Sequence, residues 1–421
     1  MVNYMLEELK FLNSELCQKA ADEFGTPLYI YSREAIETYC SNVMSFPNAY
    51  GLTVRYAVKA NPLKVFLKIA DSLGVHFDAS SEYEVARCLA AGISPEKIQL
   101  TAQQFPSEYL HLFEDGKVRF NACSLHQLEA FGKAFPGRDI SVRINPGLGS
   151  GSNRKTNVGG PSSSFGIWFE YLGEVKEIAQ RYDLKIKRVH SHIGSGTDPE
   201  VWKKVAKMTL DWAVSFESVD TVNLGGGFKV ARMSDEKSTS LADTGLVIKA
   251  EFERVAAETG RKLWLEIEPG TYIAANSGSL LARIDDMIDT GEQGYKFLKV
   301  NTGMDAITRP ALYAARHPMI VVSKKERAEQ DEYVVTGHCC ESGDVFTLGE
   351  GELLEPRTLM KADIGDLIVF EGAGAYCSSM NLRNYNSFPA SNELLLEKDG
   401  SFKLVRRRES LEDVLSRELD V

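Results

Sequence analysis

Through the first two-thirds of the chain, apolar β-prone runs alternate with stretches in which apolar residues recur every three or four positions. The runs cover 53–58, 76–79, 98–100, 140–144, 188–192, 221–224 and 263–267. Between them, 82–91, 170–182, 200–217 and 247–259 carry the helical spacing. Strand followed by helix, repeated seven or eight times, predicts a parallel sheet with helical crossovers. The roughly 250 residues that an eight-stranded (β/α)8 TIM-like barrel takes fit 34–276. An open doubly wound sheet is the other arrangement with this alternation.

After residue 277 the texture changes. Short β-prone segments at 297–301, 319–323, 333–336 and 367–370 are separated by turn residues. A second, mainly β domain is expected from 277–421 together with 1–33. No repeat beyond the strand–helix period is visible.

Composition narrows the function classes. A chain of 421 residues with 43% apolar and 25% charged positions buries a large core without disulfide or metal staples. A net charge of −11 is the wrong sign for a nucleic-acid footprint. No apolar run approaches the ~18 residues of a membrane span. Glu7 and Glu8 lie where a secretory signal would place basic and then apolar residues. Seven cysteines, an odd number without C-x-x-C spacing, indicate neither a disulfide framework nor a zinc ribbon. A cytoplasmic protein with no metal is expected.

Candidate chemistry gathers at predicted strand ends. Lys59, in Tyr56-Ala57-Val58-Lys59-Ala60-Asn61-Pro62, directly follows a predicted strand, and catalytic residues collect at the carboxyl ends of barrel strands. A lysine with an apolar stem there can lose its charge to burial and form a Schiff base. A lone lysine in such a place is ordinarily a solvated loop residue. Gly225–Gly227, after the run 221–224, offers backbone N–H groups that can approach a phosphate closely, although glycine runs are more often plain turns. Glu268 ends another run before Pro269-Gly270.

Ala57-Val58-Lys59-Ala60-Asn61-Pro62 resembles the cofactor-lysine motif of the fold-type III pyridoxal-phosphate enzymes, which include alanine racemase and the basic amino acid decarboxylases. Later segments, in the same order, are similar to the diaminopimelate decarboxylase family. They are Arg143-Ile144-Asn145-Pro146-Gly147, His192-Ile193-Gly194-Ser195-Gly196, Gly225-Gly226-Gly227-Phe228, Glu268-Pro269-Gly270 and Arg309-Pro310-Ala311-Leu312-Tyr313. Cys340-Glu341-Ser342-Gly343-Asp344-Val345-Phe346, Gly374-Ala375-Tyr376, Asn384-Tyr385-Asn386-Ser387 and the closing Leu404-Val405-Arg406-Arg407-Arg408-Glu409 complete the set.

The resemblance implies pyridoxal 5′-phosphate on Lys59 and decarboxylation of meso-2,6-diaminopimelate to L-lysine, the last step of lysine biosynthesis. It implies that Glu268 faces the pyridine nitrogen, that His192 stacks on the ring and that Tyr376 lies against it. Ser195, Gly225, Gly226, Gly227, Gly270 and Thr271 would bind the cofactor. Cys340 and Glu341 would reach the active site of a partner subunit in a homodimer. There Cys340 would protonate the carbanion and Glu341 would bind the far end of the substrate. Arg309 and Tyr313 are spaced i, i+4 and share a face if their segment is helical; Arg309 suits a carboxylate bound by its fork. His190, two residues before His192, has no comparable role.

Two departures stand out. The family usually reads Glu-Pro-Gly-Arg, and this chain has Thr271. Either another cation substitutes or the preference has changed. Leu382-Arg383 stands where two serines are usual, which makes Arg383 a candidate for the missing charge. A decarboxylase of ornithine, lysine, arginine or carboxynorspermidine is the nearest rival function, but the ornithine type carries aspartate after the mobile cysteine. A racemase would not need the Cys-Glu-Ser-Gly-Asp segment. A non-catalytic cofactor-binding protein built on one barrel would lack the second domain.

Overall fold

A computed structural model describes residues 6–148, 159–192, 194 and 196–420. Two units emerge: Glu37–Val230 with Lys237–Ile273, and Met1–Ile36 with Ala231–Glu236 and Ala274–Val421. Among the described residues no helix is long and apolar enough to cross a membrane.

In the first unit eight parallel strands close on themselves. In chain order they are Leu52–Ala57, His76–Ala79, Ile98–Leu100, Arg119–Ala122, Asp139–Asn145, Lys185–His190, Thr221–Asn223 and Trp264–Ile267. Each pairs with its neighbours in that order, and the eighth returns to the first with Leu265 opposite Leu52. The fold is therefore the expected barrel and not the open sheet. Arg119–Ala122 had no counterpart among the sequence runs, because Arg-Phe-Asn-Ala is short and half polar. Helices between strands begin where a side chain can accept an orphan N–H. Ser81, Ser124, Asp198 and Ser240 do so for Glu84, Gln127, Glu200 and Asp243.

The strands alternate with a period of two, and it is the polar residues that turn inward. Tyr56 faces out and stacks on Phe66 of the helix Lys64–Ser72, with ring centroids 5.1 Å apart. Arg55, its neighbour, reaches the adjacent eighth strand, where Nη2 and Nε donate to Glu266 at 2.8 and 3.1 Å. Arg188 Nε lies 2.8 Å from the same carboxylate and Arg119 Nη1 lies 3.8 Å from it. Barrels of this kind usually fill with branched apolar side chains. Here a buried ionic layer takes that place.

The second unit is built on an antiparallel-rich sheet running in the order Arg357–Met360, Gln330–Thr336, Lys296–Val300, Gly278–Asp289, Leu28–Ser32, Asn392–Leu396, Phe402–Arg406. Met319–Val322 and Leu367–Phe370 pair beside Gly278–Asp289. This is the mainly β domain anticipated, with the amino-terminal strand Leu28–Ser32 inside it. The helix Ser14–Phe24, capped by Asn13 on Leu16 N, buries Cys17 and Ala20 against Leu28, Ile30, Leu281, Val369 and Leu394.

The ionic layer makes a direct stability prediction. Glu266→Gln leaves buried guanidiniums without their countercharge and should cost about 3–5 kcal/mol in denaturant unfolding. An effect below about 1 kcal/mol would show that the arginines find compensation elsewhere.

Candidate active site

Glu268 follows the eighth strand and is only 7% exposed. Its Oε1 accepts from Asn223 Nδ2 at 2.6 Å and from Gln99 Nε2 at 3.3 Å. The Gln99 amide also reaches Asp78 Oδ1 at 3.3 Å, and Thr101 donates to that oxygen at 2.6 Å. Asn121 Nδ2 lies 2.7 Å from His190 Nδ1, and His190 Nε2 lies 3.5 Å from Glu268 Oε2. A neutral His190 accepting from Asn121 at Nδ1 carries its hydrogen on Nε2, on the side of Glu268.

Charge states follow from this packing. Burial, then the nearby Asp78, push the Glu268 carboxyl up to about 8, against the Asn223 hydrogen bond and the charges of Arg143 and Lys59. Burial raises Asp78 as well, with Lys59 opposing. Glu268 therefore keeps its proton at neutral pH. Burial, then Arg143, holds both His190 and His192 well below the ordinary histidine range. Both are neutral. Two residues before Glu268, Glu266 behaves oppositely: burial works to raise it, but Arg55 and Arg188 outweigh that and bring it down to about 2.

The first strand ends at Ala57, and the single turn Val58–Ala60 presents Lys59. Lys59 is exposed, while Val58 and Ala60 are buried. The apolar burial anticipated for it is not what the structure shows. Its charge acts on Asp78, Glu84, His190, His192 and Glu268. Ala57 N donates to Pro269 O at 3.3 Å, which ties this strand end to the Glu268-Pro269-Gly270 turn. Gly270 is buried, and half-buried Thr271 opens the short helix Thr271–Ala274.

The glycine run is tightly built. Gly225 N donates to Asn223 Oδ1 at 2.8 Å and Gly225 O accepts from Glu268 N at 2.8 Å. Gly225 and Gly227 have φ of +68° and +102°. A Cβ on Gly226 would lie 2.3 Å from Glu268 O, and one on Gly225 would lie 2.7 Å from the His192 side chain. Only glycine allows the loop to lie on both. His192 Nδ1 is buried and has no hydrogen-bond partner. Ser195 lies outside the described residues.

Lys59, His192, Gly225–Gly227, Glu268, Gly270 and Thr271 thus belong to one end of the barrel. The sequence reading gave no role to Asp78, Gln99, Asn121, His190, Asn223 or Arg143. Their signal was a polar residue at every second position of strands otherwise read as apolar.

Cys340, Glu341, Arg309, Tyr313 and Tyr376 belong to the other unit. Cys340 is exposed and its backbone N donates to Asn386 Oδ1 at 2.7 Å. Exposed Glu341 accepts from Tyr385 at 3.2 Å. Asp344, 4% exposed, fixes this loop by accepting from Met304 N at 2.8 Å and Cys339 N at 2.9 Å. Arg309 and Tyr313 span the helix Arg309–Tyr313, with the guanidinium 5.8 Å from the ring. Tyr376 is half-buried with φ +56°, a strained value for a bulky residue. Arg383 is exposed and engaged with Glu409, so its charge already has a partner. Cys339 lies with Asp305 and His338 so that their ligand atoms fall within 4.8 Å of one another. His338 Nε2 is hydrogen-bonded to Asp305 at 2.9 Å.

Residues 36–275 match the family described as pyridoxal-dependent decarboxylase, pyridoxal binding domain. The chain is 33% identical over 417 residues to the diaminopimelate decarboxylase of Escherichia coli strain K12, covering 97% of each. It is 34% identical over 409 residues to that of Streptomyces coelicolor, covering 95% of this chain and 91% of the relative. Among solved structures, a diaminopimelate decarboxylase crystal structure superposes with a TM-score of 0.90 at 32% identity, over 96% of both chains.

The raised carboxyl gives a pH signature. Its proton stabilises the folded state below the unfolded carboxyl range, and that contribution is lost as pH rises through about 8. In cofactor-free protein, Tm should fall between about pH 5 and 9 relative to Glu268→Gln, with the two curves converging near pH 4. Parallel curves would place the titration elsewhere.

Proposed function

Since this chain belongs to the pyridoxal-dependent decarboxylases, and within them to the diaminopimelate decarboxylases, we propose that it releases CO2 from one end of meso-2,6-diaminopimelate and leaves L-lysine. The observation that carries the reading is a proton-bearing carboxyl, Glu268, set among neutral amides at the barrel end that also presents the Lys59 amine.

The barrel residues fit pyridoxal 5′-phosphate. Lys59 would hold the aldehyde carbon. Gly225–Gly227, a loop with no room for side chains, would hold the phosphate together with Ser195, Gly270 and Thr271. His192, whose Nδ1 has no protein partner, and Tyr376 would lie against the ring. When bound, the cofactor supplies an electron sink for the bond to the departing carboxyl carbon.

The chain's own groups do the rest. Glu268 carries a proton at neutral pH and would be the residue to hold a basic ring nitrogen by that proton. The neutral His190 and His192 add no competing positive charge beside it. Arg309 binds the carboxylate that the substrate keeps, Tyr313 lies with it, and Glu341 binds the far ammonium. The Cys340 thiol gives a proton to the carbon that lost CO2. Glu341 and Cys340 serve a partner subunit's barrel in a homodimer, so each site is shared. All seven cysteines are free, in keeping with a reducing compartment, and we place the enzyme in the cytoplasm.

Two measurements test this. Borohydride reduction of the yellow holoenzyme should fix the cofactor mass on the Lys59 peptide; mass on another lysine removes Lys59 from the role. Inactive Lys59→Ala and inactive Cys340→Ala, mixed in equal amounts under subunit exchange, should recover up to about a quarter of parental activity. Half of the dimers are then hybrids with one intact site. No recovery despite exchange would place both residues of a site in one chain.

A further inference from the structure

Arg232 lies in Ala231–Glu236, a segment of the second unit whose flanking chain on both sides belongs to the barrel. Its side chain is 8% exposed. Nε donates to Gly372 O at 3.0 Å, and Glu236 accepts from the Arg232 backbone N at 2.9 Å. The stem packs so closely that a Cβ on Gly372 would lie 2.8 Å from Arg232 Cγ. Yet Nη2 is buried without a hydrogen-bond partner. Among the described residues no carboxylate forms an ion pair with this guanidinium.

Arg309, in the same unit, is half-buried, and its Nε likewise has no partner. The two cations act on one another. Burial, then Arg309, depress Arg232 to about 9, and both arginines weigh on the buried, neutral His317. Their charges also fall on Cys377, the residue after Tyr376. Two guanidiniums, each with a buried N–H that has no partner, repel unless an anion joins them. A carboxylate offers two oxygens to such a pair and accepts from both forks.

We propose that Arg232 is a specificity-determining residue that forms, with Arg309, a two-cation subsite for the carboxylate retained by the amino acid substrate. This rests on the decarboxylation reading above. Arg232 is then the cation that substitutes for the arginine absent at position 271, a role for which Arg383, paired with Glu409, is not available. Lysine, which keeps this carboxylate, should be held by the pair, whereas cadaverine, which lacks it, should not.

The test is calorimetric titration of holoenzyme with L-lysine and with cadaverine. Arg232→Gln should weaken lysine binding roughly 10- to 100-fold while cadaverine changes less than about 3-fold. Arg232→Lys, which keeps the charge and loses the fork, should fall between. The kcat/KM for diaminopimelate should drop by a similar factor. It should drop far less for D-lysine, which is diaminopimelate with the retained carboxylate replaced by hydrogen. Ligand-free Arg232→Gln should melt no lower than the parent, since a buried cation without a countercharge has been removed. Equal losses for both ligands, a lowered Tm with them, or no loss at all would overturn the assignment. If Arg232→Gln does not fold, an Arg232→Lys variant that binds lysine like the parent overturns it too. A parent that neither decarboxylates diaminopimelate nor binds lysine overturns the decarboxylation reading itself.

Discussion

Two carboxyl groups, one on the eighth strand and one just after it, face the barrel interior, and the barrel holds them in opposite charge states. Glu266 and Glu268 are two residues apart and so share a face. Burial alone would neutralise both. Around Glu266 the strands supply Arg55, Arg119 and Arg188, and the carboxylate stays ionised. Around Glu268 they supply Asn223 and Gln99, which donate hydrogen bonds without charge, and a second acid, Asp78, which discourages ionisation. One layer of the barrel is an ion cluster that holds strands together. The next is a set of neutral amides around a proton. Pairs of acids pushed apart in this way are a common mark of acid–base sites.

The other residues assigned to the reaction are held by different means. Gly225–Gly227 lies on His192 and Glu268 because glycine removes the atoms that would collide. The Cys340 loop is anchored by Asp344, whose carboxyl fills the space that side chains at Gly303 and Gly337 would occupy, at 2.2 and 2.1 Å from an added Cβ. Tyr376 keeps a left-handed backbone, beside the buried Cys377 on which both arginine charges act.

Much of this was legible in the sequence. Strand ends at 76–79 and 98–100 coincide with the structure, where Phe77, Ile98 and Leu100 alternate with polar residues. The barrel, the β domain and the strand-end position of Lys59 and Glu268 followed from period and turn chemistry. The polar interior did not, since a polar residue at every second position reads as the solvent face of a strand. Only closure of the sheet turns that face inward. Arg119–Ala122 was missed for the same reason. Arg232 carried no signal, because a lone arginine in a loop is unremarkable until its burial and missing partner are known.

The strand Leu28–Ser32 pairs with Gly278–Leu281 on one side and with Asn392–Leu396 on the other. Translation proceeds from the amino terminus at about 5–20 residues per second, so Asn392 leaves the ribosome roughly 20–70 s after Leu28. Every barrel strand has been made by Ile267, long before that. For most of elongation the nascent chain carries an apolar strand, Leu-Tyr-Ile-Tyr-Ser, whose ladder is open on one side or both. Over that interval the strand's unpaired N–H and C=O groups are open to any extended segment that can add to the edge.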